Sequence, residues 1–276
     1  MPDDQKKTII IDYNKCVSCG ICVSICPHKA LEVVNSYPEV TGTCKVCGLC
    51  AGSCITSAIS MFATKFKDES ILAEIAESNI IACRRKSKEG TTLLCISRLD
   101  MIHIAEAIAK HGNVAIMSCG PDCRNSPGAI EAESKVKAMM IALEKLGLEK
   151  ERISINIPAK TFPAISMETA DILTAIARDR NVRALVAKMR SIVEEGNVYR
   201  EKIDLERYEQ IIANAIDTAI KVERILKAVE DEANISTLAG KTGMKREEIL
   251  STVIEMRRRG LVEVKGEDEL AIKVVR

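Results

Sequence analysis

The chain has 276 residues, 47% of them hydrophobic, and a formal net charge of +1. This balance gives no general indication of binding to nucleic acid or to membranes. No run of 18 apolar residues without charges occurs, so we expect no transmembrane helix. The apolar run after the N-terminal MPDDQKK is too short for a secretory signal. We therefore expect a cytoplasmic protein with a substantial hydrophobic core.

Twelve cysteines are a high count, and clustered thiols in a reducing compartment more often bind metal than form disulfides. Eight of them form two runs of spacing C-x2-C-x2-C-x3-C, offset by 28 residues. Such short gaps let one loop present three thiolates to a cubane cluster, while the fourth reaches the other cluster. We predict two [4Fe–4S] clusters, with Gly20 and Gly48 where the backbone turns close to sulfur. The predicted ligands are Cys16, Cys19, Cys22 and Cys54 for one cluster, and Cys44, Cys47, Cys50 and Cys26 for the other.

These runs and their flanks resemble the two-cluster bacterial-type ferredoxins over residues 8–62. Ile55 stands where a proline usually follows the last cysteine, which affects the loop and not the ligands. Zinc sites of the C-x2-C type are the alternative, which the doubled spacing disfavours. His28 is expected to face solvent because eight thiolates already satisfy two clusters. The flanking apolar stretches predicted as strands are 8–12, 30–34 and 58–62.

From about residue 70, apolar strand-like runs alternate with helical ones. This alternation predicts a parallel sheet covered by helices, with ligands gathering at the carboxyl ends of its strands. The predicted strands are 79–83, 91–96, 113–119 and 152–157. The predicted helices are 101–112 and 129–147.

The remaining four cysteines fall at or just after three of these strand ends. Cys83 closes the first strand, Cys95 lies near the end of the second, and Cys119 ends the third, with Cys123 close behind. Since such ends share one edge of a parallel sheet, the four thiols are candidates for one [2Fe–2S] cluster. From spacing alone, buried or incidental cysteines are an equally good interpretation.

The segment RLDMIHIAEAIAKHGNVAIMSCGPDCRN, with the later LEKLGLEKERI, resembles the delta subunit of methyl-viologen-reducing hydrogenase over residues 78–165. The resemblance implies a [2Fe–2S] cluster held by Cys83, Cys95, Cys119 and Cys123. It also implies an anaerobic organism and two partners. One is a flavin-containing subunit of the heterodisulfide reductase type, and the other is a hydrogenase, a formate dehydrogenase or another oxidoreductase.

This segment departs from the family pattern in two places. The first motif holds one cysteine, followed by Arg84, Arg85 and Lys86, where the family usually has more than one cysteine. The third motif has three residues between its cysteines, and the family is expected to have four. The four cations Arg84, Arg85, Lys86 and Arg98 either offset the charge of a thiolate-bound cluster and raise its potential, or are solvated surface charge.

The C-terminal third has a helical character over residues 164–220, with a break at Gly196. From residue 217, a helix, a helix–turn–helix and a hairpin turning at 266–268 resemble a winged-helix domain. The predicted domains are 1–66 (two-cluster ferredoxin), 70–165 (delta-subunit-like), 166–216 (helical linker) and 217–276 (winged helix). The expected fold class is therefore multidomain α/β: a ferredoxin-like α+β domain, a parallel-sheet α/β domain, and a mostly helical region that ends in a winged helix-turn-helix.

A winged helix would place the 245–259 helix in the major groove of DNA. Lys241, Lys245 and Arg246 would then reach phosphates. However, Glu247, Glu248 and Glu255 share this helix, and Glu267, Asp268 and Glu269 lie in the wing. Arg257, Arg258 and Arg259 complement the helix dipole without any DNA. We therefore favour protein docking over DNA binding for this module.

No catalytic triad, phosphate loop or dinucleotide-binding motif is present in the sequence. We therefore expect an electron-transfer subunit of an oxidoreductase complex, and not an enzyme in its own right. The first alternative is a redox-sensing transcription regulator that binds DNA through the winged helix. The second keeps the two [4Fe–4S] clusters but leaves the middle cysteines without a cluster, as a docking scaffold.

Overall fold

The computed structural model describes residues 8–62, 67–120, 123, 125–190, 202–266 and 270–275. The chain forms two compact units, Met1–Ala213 and Asn214–Arg276. The predicted helix break at Gly196 lies outside the described residues. So do the predicted wing residues Glu267, Asp268 and Glu269, although Gly266 is described with a positive φ of 90°.

Residues 8–62, which we call the cysteine-repeat segment, contain two small antiparallel sheets and two single-turn helices. In chain order these are β1 (Ile9–Ile11), α1 (Ile21–Ser24), β2 (Leu31–Val34), β3 (Tyr37–Val40), α2 (Leu49–Gly52) and β4 (Ile59–Met61). β1 pairs with β4 and β2 pairs with β3. The three predicted strands are present in shortened form. β3 is an addition, which the chain reaches through a two-residue turn at Asn35 and Ser36, both with the positive φ that tight hairpins favour.

Residues 67–190, the middle segment, form the predicted parallel sheet with helices around it. Its elements are α3 (Asp68–Glu77), β5 (Ile80–Cys83), β6 (Thr91–Leu93), α4 (Met101–His111), β7 (Val114–Met117), α5 (Ser126–Lys145), β8 (Ile153–Ile155), α6 (Met167–Arg178) and α7 (Arg180–Arg190). The strand order is β6-β5-β7-β8, and all three pairings are parallel. The sheet interior is apolar, as expected for strands covered on both faces.

Three of these strands end earlier than their apolar runs predicted, including β8, which ends at Ile155 and not at residue 157. β6 ends at Leu93 and a 3-10 turn follows over Ile96–Arg98, while β7 ends at Met117. Ile96 is nevertheless fully buried. The apolar residue Ile96 therefore belongs to a loop that packs into the core, and not to a paired strand. Cys95 and Cys119 consequently lie in the loops beyond the strand ends.

The second unit combines helices with a three-stranded antiparallel sheet. The helix α8 (Leu205–Ala228), which belongs to this unit from Asn214 onwards, is followed by β9 (Glu232–Asn234), α9 (Ile235–Thr242), α10 (Arg246–Arg258), β10 (Val262–Lys265) and β11 (Ala271–Val274). The strand order is β10-β11-β9. The three helices and the hairpin were predicted, and β9 was not. Fully buried side chains of the helices and the sheet form one core: Ile225, Leu238, Ile249, Met256 and Ile272.

Candidate metal centres

The sequence repeat of 28 residues is also a repeat of backbone conformation. Gly20 and Gly48 have φ of 72° and 79°, and each immediately precedes a single-turn helix. Left-handed conformations recur elsewhere at the same offset, at Ser18 and Val46 and at Lys29 and Ser57. Glycine adopts this conformation without the penalty that a Cβ brings. Both cysteine runs therefore fold into the same tight loop, as the spacing predicted.

Backbone N–H groups point at the last sulfur of each run. The amide of Ala30 donates to Cys26 Sγ at 3.4 Å, and the amide of Ala58 donates to Cys54 Sγ at 3.2 Å. Hydrogen bonds to sulfur favour the thiolate, and around a cluster they tune its reduction potential. These two cysteines therefore sit in matching environments suited to metal-bound sulfur.

The first predicted ligand set is brought together around Cys22. Burial, together with the neighbouring Cys54, Cys19 and Cys16, raises the pKa of the Cys22 thiol to about 12. Cys54 belongs to the other run, so this neighbourhood includes cysteines of both repeats. Cys19 is exposed while Cys22 is buried. This group therefore reaches from the core to the surface.

The second predicted set lines one cavity. Its wall includes Cys26 from the first run with Cys44, Cys47 and Cys50 from the second, beside apolar side chains such as Leu31. Burial raises the pKa of Cys50, and the thiols of Cys47 and Cys44 add to this effect. Since such thiols stay protonated at neutral pH unless a cation takes up their charge, the cavity suits a positively charged iron core.

The zinc alternative depends on how closely the potential ligands are grouped. Among the described residues, no three histidine, cysteine, aspartate or glutamate side chains are grouped to hold one metal ion. A structural zinc site needs four ligands at about 2.0–2.3 Å from the metal. His28 is exposed, as expected for a residue that is not a ligand.

Three of the four middle cysteines lie together at the carboxyl edge of the parallel sheet. Cys119 Sγ and Cys83 Sγ are 3.5 Å apart. Burial raises the pKa of Cys119 to about 12, with further contributions from Cys83 and Cys123. The topology brings these residues together because β5 and β7 are adjacent parallel strands, and Cys123 lies in the loop between β7 and α5.

Cys95 is linked both to this edge and to the cysteine-repeat segment. Its Sγ accepts a hydrogen bond at 3.4 Å from the Nδ2 of Asn125, which lies two residues after Cys123. Burial raises the pKa of Cys47, and Cys95 is near enough to raise it further. Cys95 thus stands beside a ligand candidate of the second set.

The four cations that the sequence analysis placed near the middle cysteines differ in their exposure. Arg84, Arg85 and Lys86 are exposed, which fits solvated charge. Arg98 is buried, and a Cβ added at Gly48 would lie 2.7 Å from its Cδ. Arg98 alone of the four therefore packs directly on a cysteine loop.

One buried ion pair, between Arg183 and Asp100, was not predicted from the sequence. Arg183 on α7 binds Asp100 through both nitrogens of its fork, at 2.8 Å each, and donates to the carbonyl oxygen of Cys54 at 2.6 Å. Burial alone would raise the pKa of Asp100, but Arg183, His103 and Lys135 together lower it below its usual range. Asp100 carries a recognisable signal as the N-cap of α4. Arg183 lies 83 residues away and carries none.

Comparison with known proteins gives separate matches for the cysteine-repeat segment and for the middle segment. A 4Fe-4S binding domain profile matches residues 9–32, which include the first cysteine run. An uncharacterized ferredoxin of Methanocaldococcus jannaschii is 38% identical over 68 residues, covering 22% of this chain and 88% of that protein. The chain belongs to the ferredoxin family. This ferredoxin is therefore a [4Fe–4S] cluster-binding protein.

Two further relatives of this ferredoxin are subunits of oxidoreductases. The delta subunit of NADH-dependent phenylglyoxylate dehydrogenase from Aromatoleum evansii is 37% identical over 46 residues, covering 16% of this chain and 50% of that subunit. The polyferredoxin-like subunit of aliphatic sulfonate oxidoreductase from Pyrococcus furiosus is 33% identical over 51 residues, covering 18% of this chain and 27% of the relative. No solved structure matches the chain significantly.

The middle segment of this ferredoxin matches the profile of the methyl-viologen-reducing hydrogenase delta subunit over residues 85–178. The match includes Cys95, Cys119 and Cys123, whereas Cys83 lies two residues before it. Within the described residues, no helix is both long and apolar enough to cross a membrane.

Proposed function

We propose that this ferredoxin is an electron-transfer subunit of an oxidoreductase complex, with two [4Fe–4S] clusters and one [2Fe–2S] cluster. The observation that carries the proposal is the cavity lined by thiols from both cysteine runs. Iron–sulfur clusters are electron carriers, so several in one chain make a relay between a donor and an acceptor. The two relatives named as oxidoreductase subunits support the same role.

The proposed ligand sets follow the neighbourhoods of the thiols. Cys16, Cys19, Cys22 and Cys54 would hold one [4Fe–4S] cluster, and Cys44, Cys47, Cys50 and Cys26 the other. The [2Fe–2S] cluster would be held by Cys83, Cys95, Cys119 and Cys123. The 3.5 Å contact between Cys83 and Cys119 supports this last set, as does the match of the middle segment to a hydrogenase delta subunit.

We propose two classes of partner. One is a flavin-containing subunit of the heterodisulfide reductase type, and the other is a hydrogenase, formate dehydrogenase or other oxidoreductase. Support comes from the resemblance of the middle segment to the delta subunit, a family that the resemblance places between such enzymes. The exposed Cys19 marks one place where an electron enters or leaves at the surface.

The second unit is proposed to be a winged helix that docks protein. The order α8, β9, α9, α10 and a final hairpin supports the fold. Carboxylates neutralise several of its cations: Lys221 lies 3.2 Å from Glu248, and Lys241 lies 2.9 Å from Glu230. Ile254 on α10 is 63% exposed, which suits an apolar protein contact better than phosphate.

A redox-sensing transcription regulator is the second candidate, on the strength of the element order of that unit. A regulator would bind DNA selectively, with salt dependence, and cluster oxidation would change its affinity. An electron relay would instead co-purify with a flavoprotein and show no such DNA binding.

The test is iron and acid-labile sulfide per chain in anaerobically purified protein, with EPR of the dithionite-reduced sample. Two cubanes give about eight irons per chain, and a binuclear cluster raises the count to about ten. We expect Cys119→Ser to lose the binuclear signal while the cubane signals persist. Ser118→Ala is the matched control, since it alters the same loop without removing a thiol. An iron count of about eight, with no signal lost in Cys119→Ser, would leave the middle segment as a scaffold.

A further inference from the structure

The loop that carries Cys95 packs directly on the second cysteine run. Ser97 is fully buried, and its Oγ donates a hydrogen bond to the carbonyl oxygen of Cys47 at 2.8 Å. The hydroxyl also lies close enough to the Cys47 thiol to lower that group's pKa, against the stronger effect of burial. Ser97 therefore touches Cys47 from the middle segment, 50 residues further along the chain.

Asn125 extends this contact to the middle cysteines. Its Nδ2 is 3.4 Å from Ser97 Oγ and 3.4 Å from Cys95 Sγ. Asn125 directly precedes α5 and follows Cys123 by two residues. A continuous chain of polar contacts thus runs from Cys47 through Ser97 and Asn125 to Cys95.

Two residues without side chains make this approach possible. A Cβ added at Gly128 on α5 would lie 2.4 Å from Ser97 Cβ and 2.7 Å from Asn125 Nδ2. A Cβ added at Gly52 would lie 2.7 Å from the main-chain oxygen of Leu99, at the end of the same loop. Contacts this short displace their neighbours, so the packing at this junction leaves no room for a methyl group.

Resting on the proposed function, we propose that Ser97 and Asn125 are positioning residues. They form a polar bridge that fixes the second cysteine set against the middle cysteine group, with Cys47 and Cys95 as the facing ligands. The bridge gives the relay an order: the set that contains the exposed Cys19, then the set that contains Cys47, then the middle group. Each transfer across the bridge moves one electron, so one group is oxidised as the other is reduced, and no bond forms or breaks.

The test compares Ser97→Ala and Asn125→Ala with the unsubstituted chain in EPR-monitored redox titrations. Loss of a donor beside a cluster ligand removes stabilisation of the reduced, more negative cluster. We expect the midpoint potential of one cubane to fall in Ser97→Ala while the other stays unchanged. We also expect electron exchange between this cubane and the binuclear centre, after partial reduction by dithionite, to slow several-fold in both variants.

Ser154→Ala is the matched control, because Ser154 is another buried serine of the middle segment whose hydroxyl donates to main-chain oxygens. It removes the same atom without touching the bridge. If both variants have the same midpoint potentials and the same rate of electron exchange as this control, Ser97 and Asn125 do not position the two cysteine groups and the proposal is wrong. If the unsubstituted chain lacks a binuclear signal, the third centre of the proposed function fails, and the bridge fails with it. Asn125 is only partly buried, so its variant keeps the test open if Ser97→Ala does not fold.

Discussion

Replacing Arg183 by leucine removes one partner of a buried ion pair. Both side chains of the pair are at most 5% exposed, and the buried Asp100 would lose the cation that binds both of its carboxylate oxygens. Breaking such a pair costs about 3–5 kcal/mol of unfolding free energy. For a unit the size of Met1–Ala213 each kcal/mol corresponds to about 2–4 °C, so we expect a transition about 6–20 °C lower.

The pH dependence gives a second, independent check. The pKa of Asp100 is lowered in the folded chain, so its contribution to stability is present above the unfolded pKa of about 3.9 and is lost as the pH falls through the folded value. Arg183→Leu removes the charge that lowers this pKa most while burial stays, so the pKa of Asp100 rises in the variant. The stability deficit of the variant therefore narrows as the pH is lowered from neutrality towards about 4.

The assay is anaerobic thermal unfolding of the cluster-loaded chain, followed by circular dichroism at several pH values. Lys150→Met is the control, because it breaks an ion pair with Glu144 that is about half exposed on both sides and should leave the transition unchanged. If Arg183→Leu unfolds at the same temperature as this control, the stabilising role assigned to the buried pair is wrong.

Three further predictions concern stability. Gly52→Ala should lower the unfolding free energy by about 1–3 kcal/mol, because the added methyl group overpacks against a main-chain oxygen. Gly240→Ala, whose methyl group would meet nothing within 4 Å, should leave the unfolding free energy unchanged or raise it. Chemical denaturation measures both. Burial lowers the pKa of Lys135 to about 8, so folding stability should rise with pH between about 8 and about 10.4. Lys135→Met should remove that rise in urea titrations across this range. Ile249→Ala should lower the unfolding free energy of the second unit by about 2–5 kcal/mol, because it leaves a cavity in the core. Ile254→Ala, at an exposed position, should lower it by less than about 0.5 kcal/mol. Hydrogen exchange of the second unit measures both changes.

The cysteine loops and the parallel sheet were predictable because their signals are local. The spacing of the first run and its 28-residue offset specify a loop, and the loop recurs in backbone dihedral angles down to Gly20 and Gly48. Alternating apolar runs likewise predicted β5 and β7, whose ends bring Cys83 and Cys119 together. In each case residues close together in the chain determine the local structure, so the sequence pattern predicts it.

The contacts between segments were not predictable because they join residues far apart in the chain. Ser97 meets Cys47 across 50 residues, and Arg183 meets Asp100 across 83. Nothing in the local pattern distinguishes Arg183 from the exposed arginines of the same region. Strand ends were also misplaced, since an apolar residue such as Ile96 is buried in a loop as effectively as in a sheet.

The hydrogen bond from Arg183 to Cys54 also has a consequence for biosynthesis. Arg183 follows Cys54 by 129 residues, which a ribosome adds in roughly 6 to 26 s at about 5–20 residues per second. The complete set of eight cysteines therefore leaves the ribosome well before the side chain that closes over the last of them. The contact between Arg183 and Cys54 therefore forms only after all eight cysteines of the cysteine-repeat segment have been synthesised.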